Sequence, residues 1–193
     1  MRAISSLVTL AVFAIPVLAP TPAAARPITL GIAAGVSHSE VDADTDGHRT
    51  LGLFGRVGFS KRVSGQLEIV KFDTDAETNY DNTTIRTGTA LLVVDLLDRG
   101  ELMPVLFAGL GIDRAENDYT ATKGTHIEGG LGLEYRSRGG LTIGLDLRLG
   151  GRSIEETYET QPVDTQPILP RLAPARLQEG EYRAGRITIG VKF

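Results

Sequence analysis

The chain has 193 residues, with 20 basic and 24 acidic side chains and a formal net charge of −4. An acidic balance argues against nucleic acid as a partner, because binding to a phosphate backbone depends on basic surface. The sequence has no cysteine, which excludes disulfides, a catalytic thiol and thiolate metal ligands. The fold must therefore be stabilised by burial and hydrogen bonding.

The first 25 residues have the pattern of a secretory signal peptide. Arg2 supplies the positive charge, residues 4–18 are almost entirely apolar, and an alanine-rich A-x-A pattern ends at Ala25. A retained membrane helix is disfavoured, because Pro16 interrupts an apolar run that is shorter than a bilayer requires. We expect cleavage after Ala25 and one exported domain over residues 26–193.

From Arg26 onward, apolar residues recur at every second position, which is typical of β-strands. The first such segment begins at Ile28 and reaches Val36. Seven further segments have the same pattern: Leu51–Ser60, Gln66–Phe72, Thr84–Asp95, Leu102–Asp113, His126–Tyr135, Leu141–Leu149 and Tyr182–Phe193. Their lengths are close to the ~9 to 11 residues that a tilted strand needs to cross a bilayer. The sequence predicts an all-β fold of eight antiparallel strands.

The predicted connections alternate between long and short along the chain. The long connections are 38–50, 73–83, 114–125 and 150–181, and the short ones are 61–65, 96–101 and 136–140. In an up-and-down barrel this alternation gathers the long loops at one rim and the tight turns at the other. The last strand must then pair with the first, since a sheet can span lipid only when it has no free edge.

Residue size predicts which face of the barrel points inward. One face of the alternating segments is rich in glycine and in charged side chains, and the narrow interior of an eight-stranded barrel has room for little else. We therefore predict that large aliphatic residues such as Leu145 face outward. The predicted interior charges are Arg56, Glu68, Glu134, Asp146, Arg148 and Arg186.

The fourth segment is harder to orient, because residues 88–97 are apolar at nearly every position and would also suit a short buried helix. Its Thr and Val content favours a strand. We predict that Leu91 and Val93 point outward, and that Arg86, Gly88 and Ala90 point inward.

Taken together, several segments resemble the small eight-stranded outer-membrane barrels of the OmpA-like kind over residues 27–193. The resemblance is carried by Pro104–Gly111, Gly130–Tyr135, Asp146–Arg148 and the terminal Phe193. It implies a transmembrane barrel in the outer membrane of a Gram-negative bacterium, exported through the periplasm, with lipopolysaccharide as its neighbour. The chain departs from the family in lacking tryptophan, which leaves a thin aromatic girdle.

The final strand also resembles the signal that the outer-membrane assembly machinery recognises, through Ile189, Val191 and Phe193. We expect a monomer with a structural or surface-binding role through four extracellular loops, and neither an enzyme nor a cofactor protein. The proline-containing fourth loop, within 150–181, could serve adhesion or ligand contact, because exposed loops commonly carry binding, although no residue pattern there names a target.

The first loop contains Asp42, Asp44 and Asp46 followed by Gly47, which matches the opening of a calcium-binding loop. The glutamate that such a loop needs at its twelfth position is missing, and Leu53 stands there instead. A solvated acidic loop is therefore favoured, with weak calcium binding in residues 38–50 as the alternative hypothesis.

Two further functions remain as alternatives. The inward charges could line a narrow ion path, although buried charges of both signs more often pair with each other. A lipid A-modifying enzyme would need a Ser/His/acid set. In residues 38–40 the serine points away from its neighbours on a strand, and His126 with Glu128 has no serine beside it in sequence, so His126 is expected to be simply solvated.

Overall fold

The computed structural model describes residues 27–39, 48–73, 84–97, 99–116, 120–159 and 179–193. They form eight β-strands: β1 (Ile28–Ser39), β2 (His48–Gly58), β3 (Val63–Asp73), β4 (Thr84–Asp95), β5 (Leu102–Glu116), β6 (Thr120–Arg136), β7 (Leu141–Glu159) and β8 (Gly180–Lys192). None of these described residues belongs to a helix that could cross a membrane. The predicted signal peptide lies outside the described residues.

The eight strands form one closed antiparallel barrel in which each strand pairs with its neighbours in sequence order. Closure is made by β1 and β8, which pair from Thr29 with Lys192 to Ser39 with Tyr182. Beyond this ladder, the Phe193 amide donates to the Ile28 carbonyl at 2.8 Å, and the Ile28 amide donates back at 3.4 Å. The predicted all-β, eight-stranded, up-and-down barrel is confirmed.

The strands are longer at the loop end than the sequence pattern predicts. β5 continues to Glu116 and β6 begins at Thr120, so only residues 117–119 lie between them where we predicted a long loop over 114–125. β7 likewise continues to Glu159, well beyond the predicted end at Leu149. The predicted strand ends were wrong because the residues after Asp113 and Leu149 pair as β-strand without the alternation of apolar side chains on which the prediction was based.

The two faces of the wall alternate as predicted on seven strands. On β7, Leu145 and Leu147 are 54% and 56% exposed, whereas their neighbours Asp146 and Arg148 are 5% and 3% exposed. The same alternation on β8 turns Ile187, Ile189 and the other aliphatic residues outward. Because the exposed side chains are the large apolar ones, the sheet is inverted relative to a water-soluble barrel.

The predicted orientation of β4 is wrong. Leu91 and Val93 are 4% and 1% exposed and face the interior, whereas Arg86 and Ala90 face outward. Gly88 also faces outward, since a β-carbon built there would meet the side chain of Ile112. Large apolar side chains occur on both faces of β4 between Ala90 and Val94, so its own periodicity cannot orient it.

The orientation of β4 is decided by its partner β5. Gly109 lies opposite Leu91, and its missing side chain leaves the space that the Leu91 side chain occupies. The interior here is filled by an apolar cluster made of Leu91, Val93, Met103, Val105 and Phe107. The interior is therefore not only small and charged, as we predicted, but also contains large apolar side chains.

Several interior glycines lie directly beside aromatic rings. A β-carbon on Gly130 would stand 2.7 Å from the Phe107 ring, and one on Gly150 would stand 2.4 Å from the Tyr182 ring. Gly31 is related to Phe54 in the same way. These close approaches explain why glycine occurs within the alternating segments and not only in the turns.

We expect Gly130→Val to destabilise the barrel by about 1–3 kcal/mol, because the added side chain must displace the Phe107 ring and the Leu147 carbonyl. Gly151→Val is the matched control on the neighbouring strand, where a β-carbon would have nothing within 4 Å. Urea-induced unfolding of the refolded protein in detergent micelles measures both. Equal stability of the two variants would contradict the packing described here.

Candidate functional site

One end of the barrel interior, near the tight turns, is occupied by an ion network centred on Glu134. Arg56 donates two hydrogen bonds to the Glu134 carboxylate, at 2.9 and 2.6 Å. Arg136 donates to Glu134 at 3.0 and 2.6 Å and to Asp95 at 2.6 and 2.8 Å. Since Glu134 is 1% exposed, this carboxylate is buried but fully paired.

A second network fills the middle of the interior around Glu68. Arg148 donates to the Glu68 carboxylate at 3.0 and 2.8 Å, and Arg186 donates to it at 2.9 Å through both terminal nitrogens. Asp146 accepts from the same two arginines at 3.2 and 3.5 Å. Gln66 joins the two networks, since it accepts from Arg56 at 2.6 Å and donates to Glu68.

All six charges that the sequence assigns to the interior lie there, and the structure divides them between these networks. Arg56 and Glu134 belong to the first, and the other four belong to the second. Five further charged residues of the interior were missed by the sequence analysis: Asp95, Asp113, Glu128, Arg136 and Arg152. Asp113, Glu128, Arg136 and Arg152 continue the inward alternation of their own strands, and that pattern could have identified them.

Nearer the loop end, Asp113, His126 and Thr89 form a chain of side-chain hydrogen bonds. Asp113 Oδ2 is 3.0 Å from His126 Nδ1, and His126 Nε2 is 3.1 Å from the Thr89 hydroxyl. Arg152 and Thr87 also donate to Asp113, at 2.7 and 2.6 Å. The prediction that His126 is solvated is wrong, because it is 3% exposed inside the barrel.

This acid–histidine–hydroxyl order has the connectivity of a hydrolase triad, but all three side chains are buried among the described residues of the barrel. Thr89 is 5% exposed, and the adjoining cavity has a volume of about 30 Å³. An apolar cluster of Phe72, Ile85, Ala115 and Ile154 lies toward the loop end of these strands. The arrangement is therefore suited to fixing β4, β5 and β6 together inside the wall.

The other candidates for chemistry have little described structure. His38 is exposed on β1, while the Ser39 side chain and Glu40 lie outside what the structure describes. Asp42, Asp44 and Asp46 lie outside it as well, so the calcium hypothesis stays a prediction. Within the described ranges, no group of three histidine or carboxylate side chains is arranged to hold a metal ion.

The outer wall carries an apolar belt around the whole barrel. Its most exposed members include Leu53, Leu67, Ile69, Ile112 and Ile127, each between 65% and 70% exposed. At the tight-turn end, the exposed aromatic side chains of Phe59, Tyr135 and Phe193 border the belt. A continuous apolar surface with aromatic side chains at its edge is typical of a barrel wall that faces lipid.

No protein-family model and no curated protein matches the sequence, but solved structures do. The Neisserial surface protein A, NspA, superposes with a TM-score of 0.57 and 10% identity, covering 87% of this chain and 97% of that one. The chain has the fold of small eight-stranded outer-membrane barrels. The N-terminal barrel of Pseudomonas aeruginosa OprF also matches, with a TM-score of 0.53 and 15% identity over 86% of this chain and 97% of that one. At these identities the match concerns the fold, and the resemblance found in the sequence is confirmed at that level.

We expect Glu68→Gln to destabilise the barrel by about 3–5 kcal/mol, because it removes the nearer of the two carboxylates that two buried guanidinium groups share. The control is Glu101→Gln. The Glu101 side chain is half exposed and contacts only surface partners, so this substitution should destabilise the barrel by less than about 1 kcal/mol. Urea titration of both proteins in micelles measures the difference. A Glu68→Gln protein as stable as the control would contradict the role of the network.

Proposed function

We propose that this protein is an outer-membrane barrel that presents surface-exposed connections and has a structural or surface-binding role. The observation that carries this proposal is the combination of an apolar outer belt with an interior filled by paired charges. Such a wall suits lipid, and paired charges and apolar side chains occupy much of the described interior. The loop end and the outer wall are therefore the surfaces that we expect to interact with other molecules.

Insertion into lipid would depend on export and assembly. We propose that the outward face of β8, with Ile189, Val191 and Phe193, is what the assembly machinery recognises. These side chains are 46%, 46% and 77% exposed, and the backbone beneath them is paired to β1. Lipopolysaccharide would be the neighbour of the loop end.

A narrow ion channel is the weaker alternative. The side-chain hydrogen bonds of the interior run through four arginines: Arg136, Arg56, Arg148 and Arg152. A guanidinium group does not give up its proton in a protein, so these side chains cannot pass a proton along the interior. An apolar cluster that includes Val93 and Val105 also lies in the interior. We expect no currents of stable unit size when the protein is reconstituted in planar bilayers, and such currents would support conduction instead.

A lipid A-modifying enzyme is the other alternative, and the buried position of Thr89 argues against it. Mass spectrometry of lipid A from expressing and non-expressing cells tests it. We expect identical lipid A from the two cultures. A changed acyl or phosphate pattern that disappears with Thr89→Val would instead support catalysis at this site.

The membrane orientation of the wall is tested by Leu145→Arg. Leu145 is 54% exposed within the apolar belt, and an arginine that faces the middle of a bilayer is expected to cost about 2–4 kcal/mol. The control is Ser153→Arg. Ser153 is also exposed on β7 but lies beyond the belt, so an arginine at this position should cost about 0–1 kcal/mol. Urea-dependent folding into lipid vesicles, followed by gel migration with and without boiling, measures both. Equal folding of the two variants would contradict the proposal.

A further inference from the structure

Four basic side chains lie side by side across the outer wall at the loop end. Lys71 on β3 pairs in register with Arg86 on β4, Arg86 pairs with Arg114 on β5, and Arg114 pairs with Lys123 on β6. All four side chains are exposed and point away from the interior. We call these four residues the basic row.

Two members of the basic row directly border the apolar belt, on β3 and β5, while Gly88 and Thr125 come next on the outward faces of β4 and β6. Ile69 and Ile112 precede Lys71 and Arg114 by two positions on the same outward face, and they are 70% and 67% exposed. The aliphatic stems of the basic side chains can therefore lie against the belt while their charges extend past it. A lipid whose acyl chains lay on the belt beside Ile69 and Ile112 would have its headgroup within reach of these charges.

Like charges directly opposite on neighbouring strands repel, and acidic residues beside the row offset part of this repulsion, since Glu156 on β7 lies in register with Lys123. Glu116 forms a salt bridge with Arg114, yet the Arg114 side chain remains 54% exposed and accessible from outside. An external anion that contacts several members of the row at once would reduce the repulsion. Arginine is well suited to this, because its guanidinium binds phosphate through two parallel hydrogen bonds.

The length of the basic row indicates the kind of anion. Four adjacent strands are separated by three spacings of about 4.8 Å, so the row extends over about 14 Å. A single phosphate is too small to contact the whole row. The opposite rim differs, since Phe59, Tyr135 and Phe193 border the belt there.

We propose that the basic row binds a lipid of the outer leaflet whose headgroup carries more than one phosphate. The acyl chains lie on the belt beside Ile69 and Ile112, and the phosphates contact Lys71, Arg86, Arg114 and Lys123. This inference rests on the proposed membrane-spanning function and adds to it a lipid class and a binding surface.

The test compares two double variants that each remove two positive charges. Arg86→Gln with Arg114→Gln changes the centre of the row, and Lys61→Gln with Arg138→Gln changes exposed residues at the tight-turn end. Native mass spectrometry of the refolded mature protein in zwitterionic micelles, titrated with diphosphorylated lipid A, gives the apparent Kd. We expect at least ten-fold weaker binding for the row variant and less than a two-fold change for the control. Equal effects, or no binding by the unaltered protein, would overturn the proposal.

Further probes separate the possible sources of the phosphates. We expect monophosphorylated lipid A to bind at least three-fold more weakly than the diphosphorylated form, and inorganic pyrophosphate to bind far more weakly than either. Equal affinity for pyrophosphate would mean a site for free phosphate, and stronger binding of a sulfated polysaccharide would mean a polyanion surface. Either result overturns the lipid assignment.

A second pair of substitutions covers the case in which the first row variant does not fold. If the Arg86→Gln and Arg114→Gln protein fails to fold, Lys71→Gln with Lys123→Gln tests the two ends of the same row, and we expect at least five-fold weaker binding. Insertion of the unaltered protein into vesicles without lipid A reports on the proposed function alone. Insertion without lipid A selectivity would reject only the basic row, whereas failure to insert would reject the proposed function itself.

Discussion

The pairing of β8 with β1 is the constraint on which the rest of the structure depends. It gives every strand two partners, so the backbone N–H and C=O groups of the wall are satisfied without water. The outer surface can then be apolar around the whole circumference. Closure with eight strands also fixes a narrow interior, which explains why Gly130 and Gly150 lie beside the rings of Phe107 and Tyr182.

The charged interior ties together strands that are distant around the barrel. Glu68 on β3 binds Arg148 on β7 and Arg186 on β8, and Arg56 on β2 binds Glu134 on β6. These contacts cross the interior, whereas the backbone ladders join only adjacent strands. Buried charges are tolerated here because each carboxylate serves two or more donors. The same network that stabilises the barrel also occupies much of its described interior.

The outer wall is asymmetric along the barrel axis. Aromatic side chains border the apolar belt at the tight-turn end, and the basic row borders it at the loop end. The tight-turn end also has exposed basic residues such as Lys61 and Arg138, so the loop end is distinguished by four basic side chains in register and not by positive charge alone. The barrel surface and its connections can therefore contribute to the same role, since the basic row lies directly beneath the loop end.

The sequence by itself determined the features that depend on local alternation: the number of strands, the outward position of Leu145 and the inward position of Arg148. Only the tertiary structure decided which charges meet, since Glu68 and Arg186 are brought together by closure and not by spacing. It also decided the orientation of β4, because large apolar side chains occur on both faces of that strand and Gly109 on β5 makes room for Leu91. Periodicity is a property of one strand, whereas register, interior volume and charge pairing belong to the closed sheet.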